Sequence, residues 1–211
     1  MGSSEYEDEK SASGGSRTVS LDAYYIYKYE VTVAQYLAFC KATGRKQPKA
    51  PSFNPNWSNT DHPIVNVSWD DAKAYCEWAG GSLPTEAQWE KAARGEDGRK
   101  YPWGNEWDGS RCANSVSPNS LSSTKPVGSY PSGVSPYGVH DMAGNVWEWC
   151  NDFYEEDYYK SAPKSGTAHV LRGGSWFYIN TDDFRCSSRS ISSPANRSDV
   201  IGFRCVVRAD A

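Results

Sequence analysis

Three short segments in the first half of the chain carry the pattern of a helix N-terminus. Thr-Val-Ala-Gln at 32–35, Ser-Trp-Asp-Asp at 68–71 and Thr-Glu-Ala-Gln at 85–88 place a hydroxyl three residues before an amide or a carboxylate. In such a capping box each side chain binds the backbone N–H of the other residue, which fixes where a helix begins. Apolar residues follow each box at helical spacing. The sequence therefore predicts three helices, all before residue 96.

The rest of the chain has a different character. Gly, Pro, Asn and Ser dominate from 95 to 136, which predicts irregular loops. Helices grouped early and strands grouped late indicate an α+β fold rather than an alternating parallel α/β fold. Short runs rich in β-branched and aromatic residues predict strands at 23–29, 145–149, 170–176, 184–189 and 202–207.

We expect a single domain over 17–211, preceded by a flexible polar arm over 1–16. The arm is either a terminus without a role or the tether that follows a removed signal sequence or a lipidated cysteine. No apolar run approaches the ~20 residues of a membrane span. Membrane contact is therefore expected only through an N-terminal lipid anchor that this chain lacks. The net charge of −4 argues against nucleic acid as a partner.

Six longer motifs occur in order along the chain, and together they resemble the formylglycine-generating enzyme (sulfatase-modifying factor) family over about residues 22–208. The motifs are His-Pro-Ile-Val-Asn-Val-Ser-Trp at 62–69, Leu-Pro-Thr-Glu-Ala-Gln-Trp-Glu at 83–90, Tyr-Pro-Trp-Gly at 101–104, Gly-Asn-Val-Trp-Glu-Trp at 144–149, Arg-Gly-Gly-Ser-Trp at 172–176 and Gly-Phe-Arg at 202–204. The resemblance implies a C-type-lectin-like fold with much irregular loop structure.

Enzymes of that family convert a sulfatase cysteine to formylglycine. The resemblance places their copper-binding cysteine pair a few residues after the Gly-Gly-Ser motif. In this chain those positions fall in 177–183, which contains no cysteine. A thiolate is both the metal ligand and the redox-active group, and neither tyrosine nor aspartate replaces it. We therefore expect a non-catalytic protein, with a formylglycine-generating-type oxidase as the alternative.

One loop is similar to a calcium loop of the family. The segment Asp-Met-Ala-Gly-Asn-Val-Trp-Glu at 141–148 matches that loop residue by residue. The match implies Ca²⁺ ligands from the side chains of Asp141 and Glu148 and from the carbonyls of Gly144 and Val146. Oxygen-only ligands with two carboxylates suit calcium. The alternative is a tight turn without metal, in which both carboxylates bind the backbone.

The chain has six cysteines and no Cys-x-x-Cys pair, so zinc-ligand spacing is absent. They either form disulfides or are buried free thiols. The family resemblance implies a disulfide between Cys76 and Cys205. Cys186 corresponds to half of a second family pair, whose partner position lies near Ala93. Cys40, Cys112 and Cys150 have no assigned partner.

The end of the chain lacks five residue types. No Lys, Glu, Gln, Met or Trp follows Trp176, although the chain holds 37 of these residues. An Asn codon AAC whose adenines are randomised can never encode any of the five. Every residue of 177–200 belongs to the set that such a codon does encode. Mutagenesis directed at adenines would therefore account for this composition.

This pattern resembles the variable proteins of diversity-generating retroelements, which display adenine-mutagenised residues on a C-type-lectin fold near the C-terminus. The resemblance implies a bacterial lipoprotein at the cell surface or outside the cell. Its variable side chains would bind a protein or another surface ligand, while the backbone stays fixed. The predicted ligand-binding residues are Phe177, Tyr178, Ile179, Asp182, Asp183, Ser190, Ile191, Ser192, Ser193, Ser198, Asp199 and Val200.

The residue types at 177–179 agree with a binding role. Phe-Tyr-Ile is a run of bulky side chains, and an alternating strand could bury only some of them. Exposed aromatic residues are effective contact anchors, because they bury a large area at a low entropy cost. Two alternatives stay open: a Ser-rich loop with two buried aromatics, and a regulatory domain that has lost catalysis and binds one fixed partner.

Overall fold

The structure is a computed structural model that describes residues 19–116, 118–155 and 165–209, so the arm predicted over 1–16 lies outside the described residues. Its three α-helices are α1 (Val33–Thr43), α2 (Trp69–Trp78) and α3 (Glu86–Arg94). All three predicted capping boxes are formed, which confirms the predicted helix starts. Within the described residues, no helix is long and apolar enough to cross a membrane.

The described residues also form six short strands. β1 and β6 make an antiparallel ribbon, while the other four strands form a sheet in the order β4-β3-β2-β5. Within that sheet β5 runs parallel to β2, and the other pairs are antiparallel. The strands are β1 (Tyr24–Ile26), β2 (Trp147–Phe153), β3 (His169–Arg172), β4 (Ser190–Ser192), β5 (Ile201–Gly202) and β6 (Val206–Arg208). Helices, two small sheets and long loops together form an α+β, C-type-lectin-like fold.

The strand predicted at 184–189 is wrong. A 3-10 helix at Thr181–Phe184 ends there, and turns follow before β4 begins at Ser190. The strand predicted at 170–176 stops at Arg172, because Gly173 and Gly174 have φ values of 100° and 78°. These left-handed conformations end extended pairing and favour glycine.

The main core lies between α1, α2 and the last strands. Tyr36 and Tyr75 stack with centroids 5.7 Å apart, and the ring of Phe203 packs edge-on against both. The structure joins Cys76 of α2 to Cys205 by a disulfide with a Cα–Cα distance of 5.6 Å. The aromatic helix faces and the C-terminal strands therefore form one packed unit.

Candidate ligand-binding face

The 177–200 segment is an excursion between two strands of one sheet. It leaves after β3 and returns in β5, and these two strands flank β2 on opposite sides. β2 and β3 are almost wholly buried where they pair, with Trp149 and Leu171 opposite each other. The two ends of the segment are therefore fixed by the buried sheet.

The backbone of the segment is also held along its length by residues outside it. Main-chain N–H groups of four such residues donate to carbonyls of the segment: Ser115 to Tyr178 (3.0 Å), Trp69 to Pro194 (3.0 Å), Asn66 to Ser198 (3.0 Å) and Trp147 to Val200 (2.8 Å). The amide of Cys186 donates in turn to the carbonyl of Lys100 at 2.7 Å. None of these bonds depends on which side chains the segment carries.

Arg172, the last residue of β3, is buried and binds several backbone carbonyls of the segment. Its guanidinium donates to the carbonyls of Cys186 and Ser187 at 2.7 Å, and also to that of Ser188. It forms an ion pair with Glu90 of α3 at 2.5 Å, and Arg172 itself is fully buried. Charge-assisted bonds of this kind are among the strongest in proteins. Arg172 therefore fixes the turn that precedes β4.

Two arginines within the segment bind back to the helices. Arg189 donates two hydrogen bonds to the buried carboxylate of Glu86 on α3, at 2.6 and 3.1 Å. Arg197 forms an ion pair with Asp71, whose carboxylate completes the capping box of α2 with Ser68. Burial alone would raise the pKa of Asp71, but the hydrogen bonds from Arg197 and Ser68 lower it below its ordinary value. The helix N-termini thus anchor the segment.

The side chains of the segment point outward at several predicted positions. Phe177, Ile179 and Ile191 are 63%, 74% and 50% exposed, which is unusual for large apolar residues. Asp182 and Ser193 are exposed as well. The half-exposed predicted residues are Tyr178, Asp183, Ser190, Ser198, Asp199 and Val200.

Three predicted residues also serve the scaffold. Ser192 is buried rather than exposed, and its hydroxyl accepts a hydrogen bond from Asn196 at 2.9 Å, so its role as a ligand-binding residue stays a prediction that its burial disfavours. Tyr178 packs edge-on against Trp147 with ring centroids 5.5 Å apart, and Val200 packs on the main core. Strand pairing of β4 with β3 turns Ser192 inward, opposite His169.

Four exposed positions of the same segment are absent from the predicted set, and one of them, Arg197, is paired with Asp71. The other three carry no such ion pair. Asn180, Ala195 and Asn196 are all exposed. All three residue types are ones that a randomised AAC codon encodes, so the compositional signal covered them. These three and the exposed predicted residues are called here the C-terminal face: Phe177, Ile179, Asn180, Asp182, Ile191, Ser193, Ala195 and Asn196.

The structure supplies hydrogen bonds to both carboxylates of the predicted calcium loop. Arg204 donates to Oε1 and Oε2 of Glu148 at 2.6 and 2.7 Å, and the Trp89 indole donates to Oε2 at 2.9 Å. Asp141 accepts the Gly128 N–H at 2.6 Å. In this conformation Glu148 is committed to Arg204, and the described residues contain no cluster of three or more His, Cys, Asp or Glu side chains that could hold a metal. A calcium ion would therefore have to compete with Arg204 for Glu148, and calcium at this loop stays a prediction.

The same region contains a third buried carboxyl group, that of Glu30. Glu30 lies near Asp141 and Glu148, and its Oε1 has no hydrogen-bond partner within the described part of the chain. Burial, followed by the two neighbouring carboxylates, raises the pKa of Glu30 well above its ordinary value. Burial likewise raises the pKa of Asp141 to about 6.

Four cysteines lie outside the disulfide. Cys40, Cys112, Cys150 and Cys186 are all free and buried. Burial raises the pKa of each, that of Cys112 to about 12. A reactive cysteine needs an accessible thiolate of lowered pKa.

Comparison with known proteins agrees with the motifs. Residues 1–209 match the sulfatase-modifying factor enzyme 1-like domain. The formylglycine-generating enzyme of Thermomonospora curvata is 34% identical over 260 residues, covering 91% of this chain and 84% of that protein. A Bos taurus protein named inactive C-alpha-formylglycine-generating enzyme 2 is 37% identical over 175 residues, covering 76% of this chain and 54% of that protein.

Solved structures share the fold. PvdO from Pseudomonas aeruginosa superposes with a TM-score of 0.81 and 27% identity, covering 98% of this chain and 89% of that one. Treponema denticola variable protein 1 gives a TM-score of 0.75 and 28% identity, covering 91% and 89%. The U1 variant of the Major Tropism Determinant shares the fold alone, with a TM-score of 0.54 and 17% identity over 88% of this chain and 50% of that one. The chain belongs to the formylglycine-generating enzyme (sulfatase-modifying factor) family.

Proposed function

We propose that this protein is a non-catalytic, surface-displayed binding protein whose C-terminal face is diversified by a retroelement. One observation carries the proposal: the backbone of 177–200 is held by groups outside it, while large apolar side chains at 177, 179 and 191 project into solvent. A scaffold of this kind tolerates many side chains at its exposed positions without changing shape. Binding energy then comes from the exposed side chains.

Two comparisons support this proposal. The Treponema denticola protein, which is similar over 91% of the chain, is itself named a variable protein. A family member from Bos taurus is named inactive, so membership of the family does not by itself imply catalysis. Both agree with the lack of cysteine at 177–183 and with the buried, high-pKa thiols elsewhere.

The partner is proposed to be a protein or another surface ligand, since a net charge of −4 disfavours nucleic acid. The face combines apolar and aromatic side chains with the carboxylate of Asp182, a mixture typical of recognition surfaces. We propose a location at the cell surface, with attachment through an N-terminal lipid.

Sequencing the 3′ end of the gene in many cells tests the diversification. Substitutions are expected at codons of the C-terminal face, with a template copy carrying Asn codons nearby. Matched controls lie beside them in the chain: Trp176, Phe184, Cys186 and Ile201 are buried and are expected to stay constant. Substitutions spread evenly over exposed and buried positions, or absence of the template copy, would contradict the proposal.

The alternative function is a formylglycine-generating-type oxidase, which the Thermomonospora curvata relative favours by its name. Incubation of the copper-loaded protein with a cysteine-containing sulfatase peptide and oxygen measures this directly. We expect no aldehyde and no oxygen uptake above that of the same protein without copper. Aldehyde formation by the purified chain would establish the oxidase and refute the non-catalytic proposal.

A further inference from the structure

A pocket lies next to the 177–200 segment but is formed by residues outside it. It is an open pocket of about 800 Å³, lined by residues of 103–111 and by Val116, Pro118 and Asn119. Val116, Trp107 and Tyr178 pack on one buried cluster that contains Tyr101 and Phe184. The pocket therefore adjoins the 177–200 segment through this shared packing, although its own residues come before the segment in the chain.

Two half-exposed indoles form the apolar part of the pocket. The rings of Trp103 and Trp107 lie 6.0 Å apart at an angle of 55°. The buried ring of Tyr101 stacks on Trp103 at 5.4 Å and meets Trp107 edge-on at 5.3 Å. Phe184 supports Trp107 from below at 5.2 Å. The two indoles are thus held as rigid walls, at no entropy cost when a ligand arrives.

The polar rim offers both donors and acceptors. Within the described part of the chain, the indole N–H of Trp107 and the carboxylate of Glu106 have no hydrogen-bond partner. Asn119 donates its amide N–H to the carbonyl of Gly109 at 2.9 Å, which leaves its side-chain oxygen as an acceptor. Asp108 and Arg111 are paired at 2.8 Å, so Glu106 leaves the rim with a net negative charge.

We propose that this pocket binds a neutral saccharide. A sugar ring has apolar C–H faces that pack on indoles, and hydroxyls that both donate and accept hydrogen bonds. A quaternary ammonium would match the aromatic rings and the charge but would use none of the hydrogen-bonding groups. A proline-rich peptide would use the Trp107 donor but supplies few donors for Glu106 and Asn119. The uncompensated carboxylate disfavours anionic ligands.

The site does not depend on the diversification of the C-terminal face. Its residues lie before residue 120, so every variant of the face would carry the same pocket. The two proposals can therefore be refuted independently. A gene whose 3′ end does not vary would refute the diversification but not the pocket, and a pocket that binds no saccharide would refute the ligand but not the diversification.

Two-dimensional ¹H–¹⁵N spectra of the tryptophan indole groups test the proposal on the full chain. The probes are N,N′-diacetylchitobiose, cellotriose and maltotriose, each added to about 10 mM so that affinities near 1 mM are visible. Choline chloride and a decaproline peptide are the competing ligand classes. We expect the Trp103 and Trp107 signals to shift with at least one saccharide, while the signal of Trp78, 48% exposed on α2, stays fixed.

Two variants locate the binding. Glu106→Gln is expected to weaken the saccharide affinity about fivefold, because it replaces a charged acceptor. Glu106 is exposed and makes no side-chain contact in the described residues, so this variant keeps the fold. Trp107→Phe removes the indole donor, and Trp78→Phe is its matched control. Shifts with choline or decaproline alone, no shift with any saccharide, or a saccharide response that survives both pocket variants would each overturn the proposal.

Discussion

Replacing Arg172 by methionine tests whether residues outside the 177–200 segment hold its backbone in place, whatever side chains the segment carries. The change leaves the buried carboxylate of Glu90 without its closest cation, and it removes the donors to the carbonyls of Cys186 and Ser187. Breaking one partner of a buried ion pair costs about 3–5 kcal/mol. A domain of this size loses about 2–4 °C in Tm for each kcal/mol. We therefore expect Tm to fall by roughly 6–20 °C.

The assay is thermal unfolding followed by circular dichroism, combined with brief alkylation and mass spectrometry of the four free cysteines. Cys186 is fully buried beside Arg172, so its labelling is expected to rise in Arg172→Met more than that of Cys40. Phe177→Ser is the matched control: its side chain is 63% exposed, and the change should alter stability by less than about 0.5 kcal/mol. If Arg172→Met unfolds within about 2 °C of the parent, or if Phe177→Ser is the more damaging change, the anchoring argument is refuted.

Three further predictions concern the scaffold. Replacing Cys76 and Cys205 together by alanine should lower the free energy of unfolding by about 4 kcal/mol in urea titrations, because the disulfide closes a long loop; equal stability of the two proteins would contradict this. Gly144→Ala should lower the free energy of unfolding by about 3 kcal/mol, because φ is +79° and the new Cβ would lie 2.2 Å from a carbonyl oxygen. Gly80→Ala has a similar φ of +81° but open space around the Cβ, so it should lower the free energy of unfolding by only about 1 kcal/mol. Similar Tm values for the two variants would contradict the steric argument. Burial lowers the pKa of His169, so this side chain binds a proton more readily in the unfolded chain than in the folded one, and the free energy of unfolding should fall as the pH drops below the ordinary histidine pKa of about 6.5. His169→Phe should reduce the dependence of the free energy of unfolding on pH between pH 7 and pH 5. An unchanged dependence would show that other groups cause it.

The helix starts could be predicted from the sequence because a capping box is local. Thr32 and Gln35 are three residues apart, and their mutual hydrogen bonds need nothing from the rest of the fold. The strand predicted at 184–189 failed for the opposite reason. Phe184 is drawn into a buried aromatic cluster and the backbone after it is held by Arg172, and neither partner is near in sequence.

In the candidate face, too, some features could be predicted from the sequence and others depend on contacts that are distant in the chain. The missing residue types marked out the segment, because a bias in composition can be read from the sequence whatever the fold. Which side chains point outward depends on pairing across the sheet, and this pairing buries Ser192 while exposing Ile191 beside it. The contact between Arg189 and Glu86 spans 103 residues, and nothing local in either segment indicates it.

The return of the 177–200 segment beside its own starting point has a consequence for protein engineering. Because β3 and β5 flank the same central strand, the ends of the excursion stay together whatever its length. Doubling the length of a flexible loop costs only about 0.6 kcal/mol in closure entropy. The exposed turn at Ala195 and Asn196, just beyond β4, is therefore the place where a foreign peptide could be grafted without disturbing the sheet. A protein with such an inserted peptide would present a protruding loop in addition to the C-terminal face.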